Sequence, residues 1–111
     1  MKAIDINCQM VTKWGSLLPL EMVSQIEAYL GTKLGYGKTD EEMAQVLRDA
    51  DVKAMVVLPT INMTDDIGKV RELNDRAAQF QKDYSDVVIG MWCSVNPKLG
   101  YKGLREVERC I

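Results

Sequence analysis

The feature that most restricts how this chain can fold is the alternation of short apolar segments with longer helical patterns. The apolar segments cover residues 2–9, 52–59 and 87–95, and each has the length of a β-strand. Helical patterns follow each of them. Strands that alternate with helices usually pair in parallel through right-handed crossovers, so the sequence predicts an α/β fold built from parallel βα units.

Terminal signals predict where the helices begin and end. Pro19 suits the first position of a helix over residues 19–30, and Gly31 suits its end. Thr39 and Glu42 have the spacing of a capping box for a second helix that ends near residue 49. Thr64 is the predicted cap of a third helix, with two aspartates in its first turn. Its apolar stripe consists of Ile67, Val70, Leu73, Ala77, Phe80 and Tyr84.

Two shorter patterns complete the prediction. Ala3, Ile4 and Ile6 are expected to be buried in the first strand. A last helical face begins with Leu104 and Val107 and continues to Ile111.

Composition narrows the functional classes. The chain has 111 residues, enough for one domain, with 47% apolar residues and a net charge of -2. Such a charge does not favour nucleic acid as a partner, and no apolar run has the length of a membrane span. No secretory signal is expected, and three cysteines without close pairs favour reduced thiols in the cytoplasm. Histidine is absent, which removes the commonest general base and metal ligand.

Polar residues follow each predicted strand at the end where parallel α/β proteins bind ligands. Asn7 and Gln9 are two residues apart, so an extended chain places them on the same side. Asp5 is interpreted as a buried structural acceptor. Loop and capping roles remain open for the whole set. The predicted substrate-binding residues are Asn7, Gln9, Thr60, Asn62 and Asn96.

Four segments together resemble the amidohydrolase-related family of TIM-barrel metal enzymes, in particular its branch of aromatic-acid decarboxylases and related hydrolases. The opening MKAIDINCQM resembles the family's strand that ends in Asp-x-His-x-His. The segment ADVKAMVVLP resembles Gly-Val-x-x-Ala-Val-Leu-x-Pro, after a helix. YSDVVIG resembles the turn Tyr-Pro-Asp-Arg-Phe-Ile-Gly, and CSVNP resembles Ala-Ser-Val-Asp-Pro. The resemblance extends over essentially the whole chain.

This resemblance implies part of a (β/α)8 barrel and metal-assisted hydrolysis or non-oxidative decarboxylation of a small carboxylate-bearing molecule, with zinc or manganese as cofactor. Asn7 and Gln9 replace the two histidines of the first strand, so no metal ligand is predicted in this chain. A barrel of about 250 residues needs eight strands. Residues 1–111 are therefore expected to be the N-terminal segment of a longer barrel, a truncated gene product, or a subunit completed by association, for example as a homo-oligomer.

Other interpretations remain open. The chain could be a non-catalytic binding or assembly protein that keeps the fold without the metal. A small flavodoxin-like domain is disfavoured by the three strands. Cys8 is interpreted as a buried, unreactive thiol, because no histidine is present to activate it. Trp14 is interpreted as a pocket wall or as packing over the end of the barrel.

Overall fold

A three-stranded parallel sheet is the centre of the computed structural model, which describes residues 1–16, 18–35, 37–58 and 64–111. The strands are β1 (Ala3–Gln9), β2 (Val52–Val57) and β3 (Val88–Met91), and they lie side by side in chain order. Both neighbouring pairs are parallel. The prediction of parallel βα units is confirmed, although β3 is shorter than the predicted segment of residues 87–95.

The described residues form four α-helices: α1 (Leu20–Leu30), α2 (Asp40–Ala50), α3 (Ile67–Asp83) and α4 (Tyr101–Cys110). A short 3-10 helix, Pro97–Leu99, precedes α4. Among the described residues, no helix combines the length and the apolar character needed to cross a membrane.

One face of the sheet is covered by α2 and α3. Helix α2 contacts β2, helix α3 contacts β3, and α4 packs against α3. In the part of the chain that the structure describes, a core cluster joins α2, α3, β2 and β3, because apolar stripes on the two helices meet the same face of the strands. Its members include Met43, Leu47, Ala54, Val56, Leu58, Val70, Leu73, Ala77, Phe80 and Val88.

The opposite face of the sheet, called the open face below, is not covered in the same way. Ala54 and Val56 point into the core, so Met55 between them points to the open face. The Trp92 indole reaches across β2 and donates a hydrogen bond of 2.9 Å to the Ile6 carbonyl. The Trp92 side chain remains about half exposed.

The predicted burial of Ala3, Ile4 and Ile6 is wrong, since all three residues are exposed. Ile6 keeps 66% of its accessible surface. The reason is position: β1 lies at the edge of the sheet and pairs with β2, whereas the covering helices pack on β2 and β3. An apolar pattern predicts a strand but not which strand becomes the edge.

The capping predictions are confirmed for α2 and corrected for α3. Thr39 accepts from the Glu42 amide at 3.2 Å, while the Glu42 carboxylate accepts from the Thr39 amide at 2.7 Å. Helix α3 is capped by Asp66, whose Oδ1 accepts from the Gly68 amide at 2.8 Å. Thr64 lies two residues before this cap. Its hydroxyl therefore accepts from the Asp66 amide and not from an amide of the first helical turn.

Helix α1 ends as predicted at Gly31, whose φ of +67° is the left-handed conformation that glycine adopts without strain. Its apolar stripe is mostly not buried. Val23 is the buried residue of the helix, whereas Leu20 and Tyr29 are largely exposed.

Helix α4 turns a different face inward from the one predicted. Gly103 and Glu106 are its buried residues, whereas Leu104 and Ile111 are exposed. The predicted apolar face is therefore wrong here. Ion pairs and hydrogen bonds to Glu106, described below, compensate for burying a carboxylate.

Candidate functional site

The C-terminal end of β1 carries two of the predicted site residues, Asn7 and Gln9, and both are exposed. Between Asp5 and Cys8 the pairing with β2 shifts, because β1 advances three residues while β2 advances two. This β-bulge redirects the side chains at the strand end, as bulges near binding sites often do. Beyond it, Gln9 pairs with Val57.

Asp5 stabilises the bulge. Its carboxylate accepts a hydrogen bond of 2.9 Å from the Asn7 amide. Asp5 is thus a structural acceptor as predicted, although it is exposed and not buried.

The Cys8 side chain lies on the other side of β1 and packs partly against the core. Burial raises the pKa of the Cys8 thiol above its usual range, and the nearby Asp5 carboxylate adds to the rise. The thiol therefore stays protonated at neutral pH, which agrees with the prediction of an unreactive cysteine.

A tightly packed turn follows β1. Met10 is fully buried, and its amide donates to the Val57 carbonyl at 2.8 Å. Gly15 lies so close to the Met10 side chain that a Cβ at position 15 would clash with Met10 Cβ and Cγ. Glycine is thus required here by close approach. The turn holds the end of β1 in place beside β2.

Trp14 has a packing role. Its indole nitrogen donates to the Asp40 carboxylate at 2.7 Å, and its ring meets the edge of Phe80 with 6.4 Å between centroids. The Arg76 guanidinium lies 4.9 Å from the Trp14 ring centroid, in cation–π geometry. These contacts tie the first loop to α2 and α3.

After β2, the predicted residues Thr60 and Asn62 lie outside the described residues. The start of α3 is described. The Asp66 side chain accepts from the amides of Gly68 and Lys69, so these two donors of the first helical turn are already satisfied. A substrate carboxylate therefore does not find them free.

After β3, Asn96 is buried and fully engaged within the protein. Its side-chain amide donates to the Thr64 carbonyl at 3.2 Å and to the Asp65 carboxylate at 2.6 Å. Its side-chain oxygen accepts from the Lys98 amide at 3.0 Å. Asn96 thus links the segment before α3 to the 3-10 helix. Because β2 separates β1 from β3, this residue lies about 10 Å or more from the end of β1.

The donors at the end of β1 do not fit a zinc or manganese site by themselves. Asn7 and Gln9 offer amide oxygens, which are weak zinc ligands, and Asp5 already accepts a backbone hydrogen bond. In the described ranges, no three His, Cys, Asp or Glu residues are grouped as metal ligands. We therefore derive no metal-dependent step from these residues.

A polar cluster between α3, α4 and the segment after β3 was not predicted from the sequence. Buried Asn74 donates to the Ser94 carbonyl and to Glu106, each at 3.0 Å, and accepts from the Ser94 amide at 3.2 Å. Glu106 is fully buried, and both of its oxygens accept from Arg109 at 2.8 Å. Arg71 lies 3.5 Å from the same carboxylate.

These contacts change the protonation of the cluster. The Arg109 guanidinium, with smaller contributions from Asn74 and Cys110, lowers the pKa of Glu106 to about 2 against the opposing effect of burial. The sequence does contain a signal: Asn74 interrupts the apolar stripe of α3, four residues after Val70 and three before Ala77. A polar residue on a buried helix face requires a partner.

The chain matches no protein-family model, and comparisons with curated proteins and with solved structures found no significant similarity.

Proposed function

We propose that the chain is the N-terminal segment of an amidohydrolase-like (β/α)8 barrel that acts on a small carboxylate-bearing molecule. One observation supports this most: three consecutive parallel strands lie in chain order, with helices on one face and the open face on the other. A (β/α)8 barrel has this arrangement throughout, with helices outside and the second strand face turned towards the barrel interior.

The position of Asn7 and Gln9 supports substrate contact. Both side chains are exposed at the C-terminal end of β1, where barrel enzymes bind their substrates. Their amide groups can donate hydrogen bonds to a carboxylate, and neither group can act as a general base at neutral pH. In this proposal they bind and orient the substrate. Asn96 and Asp65 hold the neighbouring loops together, and Thr60 and Asn62 remain candidate contacts.

The resemblance implies a divalent metal that would polarise the substrate or activate water. Since the β1 donors do not fit such an ion, the proposal assigns hydrolysis or decarboxylation to a complete barrel whose metal ligands come from other residues. This segment contributes positioning of the substrate.

The proposed substrate class is tested with benzoate and NMR. We expect benzoate to shift the amide signals of Asn7 and Gln9, with a Kd of about 1–10 mM. Asn7→Ala and Gln9→Ala should each weaken binding about tenfold, because each removes a hydrogen bond to a charged group. Gln79→Ala, on the exposed surface of α3, is the matched control and should bind as the unaltered protein does. Shifts confined to other residues, or equal affinity in all variants, would contradict the proposal.

The proposed loss of the two metal-binding histidines is tested by putting histidines back at positions 7 and 9. The double variant Asn7→His, Gln9→His is expected to bind zinc at least about tenfold more tightly than the unaltered chain, since imidazole is a better zinc ligand than an amide. Calorimetric titration measures the difference. Two separate histidines on exposed helices, Gln45→His and Gln79→His, control for added imidazole alone. Stoichiometric, tight zinc in the unaltered protein would show that the site never needed the pair.

A second candidate function, a non-catalytic assembly protein, is favoured by the open face. Ile4, Ile6 and Trp92 are each about half exposed or more, and an apolar edge strand is a common surface for association. Sedimentation velocity separates the two candidates. A concentration-dependent dimer that Ile6→Glu abolishes, together with no benzoate binding, supports assembly. A monomer that binds benzoate supports the enzyme segment.

A further inference from the structure

Two cysteines from different parts of the chain line the same cavity. Cys93 follows β3, and Cys110 is the last residue of α4. Both line a cavity of about 250 Å³ whose other wall is formed by α3, including Asn74 and Ala77. Both side chains are exposed and neither is in a disulfide.

The two thiols influence each other. The Cys110 thiol donates to the Glu106 carboxylate at 3.4 Å, and Cys93 contributes to raising the pKa of Cys110. Both side chains thus border the same small cavity before any reaction.

The same polar cluster positions both cysteines. Asn74 holds the backbone of Ser94, the residue next to Cys93, through one donated and one accepted hydrogen bond. Asn74 also donates to Glu106, which lies one helical turn before Cys110. Because one side chain fixes both supporting segments, little further ordering is needed to bring the sulfurs into bonding distance.

We propose that Cys93 and Cys110 are a reversible redox pair that forms an intramolecular disulfide when the protein meets a peroxide. The Cys93 thiolate attacks one peroxide oxygen, the O–O bond breaks, and Cys93 becomes a sulfenic acid. The other oxygen leaves as hydroxide, which takes up the proton that the Cys93 thiol had lost and becomes the first water. The Cys110 sulfur then displaces the sulfenic oxygen, which leaves as a second water with the Cys110 proton. The two thiols are oxidised by two electrons, and the peroxide is reduced to two waters.

The surroundings decide the order of the two steps. Burial, followed by the contacts with Cys93 and Glu106, raises the pKa of Cys110 to about 12. A protonated thiol is a poor first nucleophile, so Cys93 reacts with the peroxide and Cys110 resolves the sulfenic acid.

The product would link the end of β3 to α4. A bond that closes the chain between residues 93 and 110 restricts the unfolded state, so the oxidised protein should melt about 5 °C or more above the reduced protein. Helix α4, which otherwise docks through the Glu106 cluster, would be covalently fixed.

The test uses the full 111-residue chain, reduced and then treated with one equivalent of hydrogen peroxide. We expect titratable thiols to fall from three to one, and mass spectrometry of the digest to show Cys93 joined to Cys110. Dithiothreitol should restore all thiols and the lower melting temperature. Cys8→Ser is the matched control and should still form the link.

Each single variant has a defined expectation. Cys93→Ser should react with peroxide slowly, and Cys110→Ser should stop at the sulfenic acid, which dimedone labels. The proposal is overturned if the digest shows Cys93 oxidised while Cys110 stays free, or if thiols are lost only through links between chains. The digest of the unaltered protein decides this even if a variant does not fold.

Discussion

Replacing Phe80 by alanine is expected to lower the free energy of unfolding by about 3–5 kcal/mol, a large part of the stability of a domain of this size. Phe80 is almost fully buried in the core cluster. Its ring contacts Tyr84 with 5.0 Å between centroids and meets Trp14 from the first loop. The truncation therefore leaves a cavity where α3, the sheet and that loop meet, and rigid neighbours on three sides cannot collapse into it.

Urea denaturation followed by far-UV circular dichroism measures this loss. Phe80→Leu keeps most of the volume and should cost about 1–1.5 kcal/mol. Tyr29→Ala removes an aromatic ring that is 90% exposed and should change stability by less than about 0.5 kcal/mol. If Phe80→Ala costs no more than Tyr29→Ala, the core is not organised around this ring.

Replacing Glu106 by glutamine is expected to cost about 2–3 kcal/mol at pH 7, since it removes the charge that Arg109 and Arg71 contact in a buried position. The two arginines are about half exposed and can be solvated, which keeps the loss below that of a fully buried pair. Helix α4 should be affected first, because Glu106 is its main buried side chain.

The same substitution changes the response to acid. The folded pKa of Glu106, about 2, lies below its unfolded value, so its contribution is complete above about pH 4.5 and is lost as the pH falls towards 2. In Glu106→Gln this loss is absent, and the slope of stability against pH in that window should decrease by at most about 1.4 kcal/mol per pH unit. Glu108→Gln, on the exposed side of α4, is the control and should keep the slope. Equal slopes in both variants would show that the ion pairs of Glu106 do not lower its pKa in the folded protein.

Local sequence patterns were sufficient to predict the order of the strands and helices along the chain. The three apolar segments became parallel strands, and the capping box of Thr39 and Glu42 formed with both hydrogen bonds. Gly31 ended α1. Caps and hydrophobic periodicity depend on residues within one helical turn or one strand, so they can be recognised from neighbouring residues alone.

The candidate site was predictable only in part. Asn7 and Gln9 do lie exposed at the end of β1, as the strand prediction implied. Asn96 is at its predicted place after β3, but its hydrogen bonds to the segment before α3 could not be read from its own neighbourhood. The Asn74–Glu106 pair was missed because its members are 32 residues apart in the chain, and the interruption of the α3 stripe at Asn74 does not tell which residue is its partner.

The sequence by itself determined which segments form strands and helices and in what order, because periodicity and caps are local properties. Only the tertiary structure decided that β1 is an edge strand with exposed isoleucines, that α4 buries a glutamate, and that Cys93 and Cys110 line one cavity. These outcomes depend on which elements become neighbours in space. Burying a polar side chain costs little free energy when a partner that is distant in the chain forms its hydrogen bonds. Which residue becomes that partner depends on the packing of the whole chain.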